Sequence, residues 1–139
     1  MTVFGPRDID KIKAGDLVLS YNEKTGENEY KLVEKPIVHI NFTEDWYTLT
    51  MDDQSTLRVA QAHKFYIKEG NEFHYVRARD LKIGDIVRYF DGSYHRIEKI
   101  SFQLENHTEY NLAVADNHNY YVGDQYILVH NNASDSYKN

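Results

Sequence analysis

The chain has 139 residues, a formal net charge of −6 and no cysteine. This length suits one domain, or two small ones, and is sufficient to bury a hydrophobic core. The lack of cysteine excludes disulfides, cysteine zinc sites, iron–sulfur clusters and thiol nucleophiles within these residues, and it leaves the cellular compartment open. The acidic excess and the scattered basic residues argue against nucleic acid as a partner, and no apolar run reaches the length of a membrane span.

Short runs rich in β-branched and aromatic residues recur along the chain and are bounded by turn-forming residues. In chain order, the predicted strands span residues 16–21, 37–42, 46–51, 56–59, 64–68, 85–90, 94–104, 109–114, 119–122 and 126–129. The pair Asp91-Gly92 separates two of these runs and predicts a tight hairpin turn. Helical periodicity is limited to single turns near residues 8–12 and 76–81. The pattern predicts an all-β domain.

An internal repeat organises these elements. Residues 12–18 and 81–87 both read apolar-Lys-x-Gly-Asp-apolar-Val. Residues 59–67 and 114–122 both read Val-Ala-x-x-His-x-aromatic-Tyr-apolar, and a weaker third match precedes each of these. Because the matches come in the same order in both halves, we predict one domain built from two related halves.

The longer repeat places His63 and His118 at equivalent positions, each just before an aromatic strand. A pseudo-twofold axis between the halves would bring both histidines toward one centre. The other histidines inside the chain have no companion pattern, and we interpret them as structural or exposed; they are His39, His74, His95 and His107.

The last apolar run ends in His130-Asn131. An asparagine side-chain nitrogen can attack its own backbone carbonyl, close a succinimide ring and break the following peptide bond, and positioning contributes much of the rate. One helper must activate the nitrogen, and another must polarise the carbonyl or protonate the leaving amine. Histidine suits both tasks. His130 adjoins the reacting carbonyl, and His118 is the candidate from across the fold.

The ordered motifs resemble the Hint domain, the fold shared by inteins, bacterial intein-like domains and hedgehog autoprocessing domains. The resemblance rests on the opening region at residues 9–21, the Thr-x-x-His block at 57–65, the late histidine block at 110–122 and the terminal block at 128–131. The His-Asn ending favours the intein and bacterial intein-like branch over hedgehog-type domains.

This resemblance implies a horseshoe-shaped, all-β fold of two pseudo-symmetric halves over residues 1–131, followed by a flanking tail over residues 132–139. It implies self-processing once per molecule, by protein splicing or autocleavage, without cofactor or metal. The expected partners are the flanking host polypeptide and an N-terminal intein-like strand, in cis or in trans, that carries the first nucleophile. A larger secreted toxin or adhesin is one natural host of such domains.

The resemblance also implies roles for four residues. Asn131 is the expected cyclising residue, His130 assists at the scissile carbonyl, and His118 is the general acid or base for cleavage on the C-terminal side. His63 is expected to polarise the N-terminal junction when that junction is present.

The chain departs from the family pattern at four points. The expected Cys or Ser nucleophile is absent from the opening residues, Ala60 replaces the Thr of the Thr-x-x-His block, Asn111 replaces a frequent Asp, and Asn132 stands where splicing needs Cys, Ser or Thr. The chain is then the large piece of a split intein, a truncated or mutated form, or a degenerate module. Catalytically it is either active at Asn131 or an inactive Hint fold with a structural or peptide-binding role. An unrelated β domain that uses His63 and His118 to bind a metal or ligand is the third reading.

Overall fold

The computed structural model describes residues 1–2 and 8–130. Within these ranges the chain forms nine strands and two short 3₁₀ turns, so the predicted all-β class is confirmed. The strands are β1 (Leu17–Asn22), β2 (Glu27–Met51), β3 (Thr56–Ala60), β4 (Lys64–Glu69), β5 (Glu72–Arg77), β6 (Ile86–Arg88), β7 (Tyr94–Val114), β8 (Asn119–Val122) and β9 (Ile127–His130). The 3₁₀ turns, Ile9–Lys11 and Ala78–Asp80, agree with the two predicted single turns.

These strands form one antiparallel sheet in the order β1-β2-β7-β6-β4-β9-β8, with β3 also paired to β2 and β5 also paired to β4. The ends of this order are tied together through Asn119 of β8, whose side chain bonds to Ser20 and Tyr21 of β1. The sheet is therefore nearly closed around its core.

Two long strands replace four shorter predicted ones. The sequence predicts breaks after residues 42 and 104, but β2 and β7 are continuous and pair along most of their length, from Val33 opposite Val114 to Met51 opposite Ile97. A register shift near Asn41, which has φ of +51°, absorbs the irregularity between the predicted runs. Where the side chains of β2 and β7 are exposed, backbone hydrogen bonds hold the two strands together. Hydrophobic alternation in the sequence does not reveal backbone pairing, so it does not predict the continuous strands.

The strand β5 is a second correction. The sequence pattern predicts no strand between residues 68 and 85, yet β5 pairs with β4 around a turn in which Gly70 has φ of +62°. Its side chains are exposed or half-buried, because β5 has a neighbour on only one edge. Such a strand lacks the buried apolar face that makes a strand visible in sequence.

The repeated apolar-Lys-x-Gly-Asp segments fold in the same way. In the first, the backbone nitrogen of Lys13 donates to Oδ2 of Asp16 at 3.0 Å. In the second, Lys82 donates to Asp85 at 2.8 Å. Each aspartate thus closes its own turn between a 3₁₀ turn and a strand.

The glycines of these turns are also equivalent. Gly15 and Gly84 have φ of +92° and +98°, a region that side chains other than glycine rarely adopt. Gly15 donates to the carbonyl of Val33 at 2.9 Å, and Gly84 donates to that of Ile97 at 2.8 Å. Because Val33 and Ile97 lie on β2 and β7, each turn anchors its half of the sheet to one long strand. The prediction of two related halves is confirmed.

The strand β9 lies between the two halves. Val129 pairs with Phe65 of β4 on one side and with Tyr120 of β8 on the other. Phe65 and Tyr120 are equivalent in the longer repeat, so the pseudo-twofold relationship passes through β9. All three side chains belong to the main buried apolar cluster, whose burial stabilises the sheet.

Candidate functional site

The described chain brings two of the predicted site residues together. The ring centroids of His118 and His130 lie 6.3 Å apart. His130 is the last residue of β9, and it pairs with Asn119, the residue that follows His118. Its other neighbour is Lys64, which follows His63. The residues just after the two repeat histidines thus flank His130 on its two sides.

The ring of Tyr75 supports His130. It packs edge-on against the imidazole with centroids 4.6 Å apart, and its hydroxyl donates to Oε2 of Glu23 at 2.8 Å. Burial raises the pKa of Tyr75, so the phenol stays protonated at neutral pH. Tyr75 comes from β5, the strand that sequence patterns miss, and for this reason its proximity to His130 is visible only in the structure.

A cavity of about 590 Å³ opens beside the histidine pair. Its lining mixes both signs of charge and consists of Tyr21, Asn22, Glu23, Lys24, Lys31, Asp116, Asn117, His118 and His130. Lys31 lies 3.1 Å from Asp116, and this hydrogen bond raises the pKa of the lysine. Polar and charged side chains line the cavity, as a site for proton transfer requires.

The two repeat histidines differ in their surroundings. His118 is exposed and has φ of +56°, and Asp116 in the same turn has φ of +64°. Such backbone conformations are uncommon outside glycine and cluster at functional sites. His63 is 5% exposed and lies in the turn between β3 and β4. The two side chains line different cavities, although their strands flank the same strand β9.

His63 lies beside a larger cavity of about 790 Å³, which Met1, Trp46 and Tyr120 also line. Its Nε2 is 3.7 Å from Oε1 of Glu109, and its Nδ1 is buried without a hydrogen-bond partner among residues 1–2 and 8–130. Burial lowers the pKa of His63 to about 4, so the imidazole is neutral at neutral pH.

Glu109 has a second neighbour, the carboxyl group of Glu44. Both side chains are buried, with 6% exposure at Glu44 and 8% at Glu109. Burial, which is the largest cause, together with hydrogen bonding to Glu109 and the charge of Glu109, raises the pKa of Glu44 to about 8. The sequence does not predict that these two glutamates lie together, because they are 65 positions apart on two strands whose pairing no local pattern predicts.

Two positions where the chain departs from the family pattern have structural roles. Ala60 is fully buried, and its carbonyl accepts from the backbone nitrogen of His63 at 3.2 Å. Asn111 is 3% exposed, and its Oδ1 accepts from the hydroxyl of Tyr120 at 2.6 Å. The first predicted catalytic residue, Asn131, lies outside the described residues.

Within residues 1–2 and 8–130, no three His, Cys, Asp or Glu side chains gather as a metal site would require. None of the helical segments described there has the length and apolar character needed to cross a bilayer.

A family model described as the pretoxin Hint domain matches residues 1–132. The chain belongs to the pretoxin Hint family. A bacterial intein-like domain from Clostridium thermocellum, solved in solution, is 32% identical, with a TM-score of 0.83 over 94% of this chain and 92% of that chain. The gp41-1 intein crystal structure is 27% identical, with a TM-score of 0.72 over 94% of this chain and 91% of that chain.

A mini-intein of transcription factor IIB from Mvu shares the fold, with 21% identity and a TM-score of 0.72 over 84% of this chain and 72% of that chain. No curated protein matches the chain. The pretoxin Hint assignment confirms the predicted fold and a self-processing function of the intein type, with host polypeptide flanking the domain. It excludes the reading as an unrelated β domain.

Proposed function

We propose that this pretoxin Hint domain cleaves the peptide bond between Asn131 and Asn132 by cyclisation of Asn131. The observation that carries the proposal is the 6.3 Å separation of the His118 and His130 rings at the end of β9, directly before Asn131. His130 directly precedes Asn131 in the chain, and His118, which directly precedes β8, lies beside His130. Both tasks that cyclisation needs, proton removal and proton delivery, then have a candidate side chain.

The step needs no external reactant. The side-chain nitrogen of Asn131 attacks the carbonyl carbon of Asn131, and the bond from that carbon to the nitrogen of Asn132 breaks. One proton leaves the attacking nitrogen, and one is delivered to the departing amine. The products are a C-terminal succinimide and a new N-terminus at Asn132. In this proposal His118 is the general acid or base, and His130 assists at the carbonyl.

The packing around the pair supports positioning as the main source of rate. Tyr75 holds the ring of His130 edge-on, and Asn119 fixes the end of β8 next to His118 through bonds to Tyr21. Because the attack is intramolecular, fixing the reacting groups removes most of the entropic cost of the step.

On the N-terminal side we propose that a strand-forming segment with the first nucleophile acts with His63, in cis or in trans. The carbonyl of Met1 accepts from Leu19 of β1 at 2.8 Å, and Met1 lines the cavity beside His63. Burial lowers the pKa of the Met1 amino group, because a charge is poorly solvated there.

The family description also suggests the host. We propose that the flanking polypeptide is a toxin precursor and that cleavage after Asn131 separates the domain from the segment that follows it.

Intact mass tests the cleavage. Purified chain is incubated at neutral pH, with and without a thiol and a synthetic N-terminal strand peptide, and the mass is followed over days. The expected result is loss of residues 132–139, which Asn131→Ala abolishes and Asn132→Ala preserves. The matched asparagine variants also distinguish a cut after Asn131 from a cut after Asn132. An unchanged mass in every condition would overturn the proposal.

That same outcome would favour the second candidate, an inactive Hint fold with a structural or peptide-binding role. The observations that favour it are the absence of cysteine and the buried Ala60 in place of the threonine.

A further inference from the structure

The protein interior beside His63 contains a polar array that the proposed C-terminal cleavage does not use. Glu44 comes from β2, Glu109 from β7 and His63 from the turn before β4, and all three side chains are buried. Buried ionisable groups cost free energy unless they are paired. Their burial close to one another therefore requires a specific arrangement of protons.

Glu109 is the central member of the array. Its Oε1 lies 3.7 Å from Nε2 of His63, and its interaction with the carboxyl group of Glu44, together with burial of Glu44, raises the pKa of Glu44. Two ionised carboxylates side by side in a buried site repel each other, so one proton between them is the favourable state. A similar distribution of protons is typical of buried carboxyl pairs in catalytic sites.

We propose that Glu44 keeps this proton, that Glu109 carries the charge, and that Glu109 thereby holds His63 in the tautomer with hydrogen on Nε2. The free lone pair of the imidazole is then on Nδ1. Glu109 is in this sense a positioning residue, since it acts on other groups only through His63.

Electrostatics favours this tautomer. A hydrogen on Nε2 directs the positive end of the N–H bond toward the carboxylate of Glu109, whereas the other tautomer would direct a lone pair at it. The separation of 3.7 Å exceeds a direct hydrogen bond, so the attraction is that of a charge and a bond dipole. The buried Nδ1 has no hydrogen-bond partner within the described residues, so its lone pair is available to accept a hydrogen bond from a bound polypeptide.

Other charges near the array are compatible with one negative charge on Glu109. The charge of Glu109 contributes to the raised pKa of Tyr120, and His39 acts on Glu44 in the opposite sense. Among the residues that the structure describes, the other titratable groups that line the cavity are the Met1 amino group, Asp8, Lys11, Arg58, Tyr110, Tyr121, Asp124 and Tyr126.

This inference goes beyond the cleavage proposed at Asn131. It prepares Nδ1 of His63 to accept a proton or hydrogen bond from a polypeptide in the cavity. Its test uses no cleavage, so failure of either proposal leaves the other open to its own test.

The tautomer is read from a long-range proton–nitrogen correlation spectrum of the full chain with ¹⁵N-labelled histidine at neutral pH. Signals of His63 are assigned by their loss in His63→Gln. The expected result is the tautomer protonated at Nε2. Replacement of the charge in Glu109→Gln should lower the ratio of this tautomer to the other by at least about threefold.

Two glutamine variants serve as comparisons. Glu44→Gln keeps a donor toward Glu109, so the tautomer of His63 should be unchanged. Glu98→Gln, at an exposed position of β7, is the matched control. Hydrogen on Nδ1 in the unsubstituted chain, or a tautomer ratio that is the same in Glu109→Gln, would overturn the inference.

A measurement on the unsubstituted chain covers the case in which Glu109→Gln does not fold. Carboxyl ¹³C signals of the glutamates are followed as the pH rises. We expect one glutamate to titrate near pH 8, as the raised pKa of Glu44 indicates. If every glutamate is fully ionised by about pH 6.5, well below the pKa of about 8 given for Glu44, the shared proton is ruled out.

Discussion

The side chain of Asn119 forms hydrogen bonds with both the backbone N–H and the backbone carbonyl of Tyr21, the two groups that a neighbouring strand would otherwise pair with. Its Oδ1 accepts from the Tyr21 nitrogen at 2.8 Å, and its Nδ2 donates to the Tyr21 carbonyl at 2.9 Å. The same Oδ1 accepts from the hydroxyl of Ser20 at 2.6 Å. Asn119 is completely buried, and through it the first strand of the sheet contacts the eighth. This contact also fixes the residue next to His118.

We therefore expect Asn119→Ala to lower the free energy of unfolding by about 2–4 kcal/mol, because it leaves buried backbone groups of Tyr21 without partners. Urea denaturation measures the change. Asn106→Ala is the matched control, since Asn106 bonds to Asn41 and Thr43 at an exposed place and should cost less than about 1 kcal/mol. Equal losses in the two variants would contradict the role given to Asn119.

The repeated turns predict equal effects at two distant positions. Gly15→Ala and Gly84→Ala should each lower the free energy of unfolding by about 1–2 kcal/mol, because alanine is strained at positive φ. Apart from the two adjoining residues, no atom of the described part of the chain lies within 4 Å of the added carbon at either position, so no steric clash adds to the strain. Denaturation of both variants, with the exposed Lys13→Ala as control, checks this. A large loss at one glycine and none at the other would show that the turns are not equivalent.

The histidine pair predicts how substitutions change the rate of self-cleavage. His118→Ala should slow the release of residues 132–139 by about 100-fold or more, which is the usual contribution of a general acid or base. His74→Ala is the control, since His74 lies exposed on β5, 3.7 Å from Glu69. Timed intact-mass measurements give both rates. Cleavage at the normal rate in His118→Ala would exclude His118 from the reaction.

The raised pKa of Glu44 leads us to expect that the free energy of unfolding changes with pH. Its pKa is about 8 in the folded chain and near 4.5 in the unfolded chain, so between these values the folded state holds a proton that the unfolded state has released. The free energy of unfolding therefore falls as the pH rises through this range. Below about pH 6.5 the lowered pKa of His63 opposes this trend, because the unfolded state binds the extra proton there.

The clearest window for Glu44 is consequently pH 6.5 to 8. We expect Glu44→Gln to flatten the decline in stability across this window by about 1 kcal/mol or more, since one pKa unit corresponds to ~1.4 kcal/mol. Denaturation at several pH values measures the slopes, and Glu98→Gln should parallel the unsubstituted chain. Identical slopes in all three proteins would show that Glu44 ionises normally.

The sequence by itself determined the local elements and their repetition. The turns at Gly15 and Gly84, the equivalence of His63 and His118, and the final strand that ends at His130 are encoded by neighbouring residues, so spacing and composition predict them. The all-β class follows from the same local signals.

Only the tertiary structure decided what these elements bring together. Residues 44, 63 and 109 meet because β2 pairs with β7 across the sheet, and Tyr75 reaches His130 from a strand with no buried face. The tertiary structure also gives the two repeat histidines different surroundings: His63 is buried beside Glu109, and His118 is exposed beside His130. Such contacts depend on strand order and register over long distances in the chain, and a local pattern of side chains does not specify either.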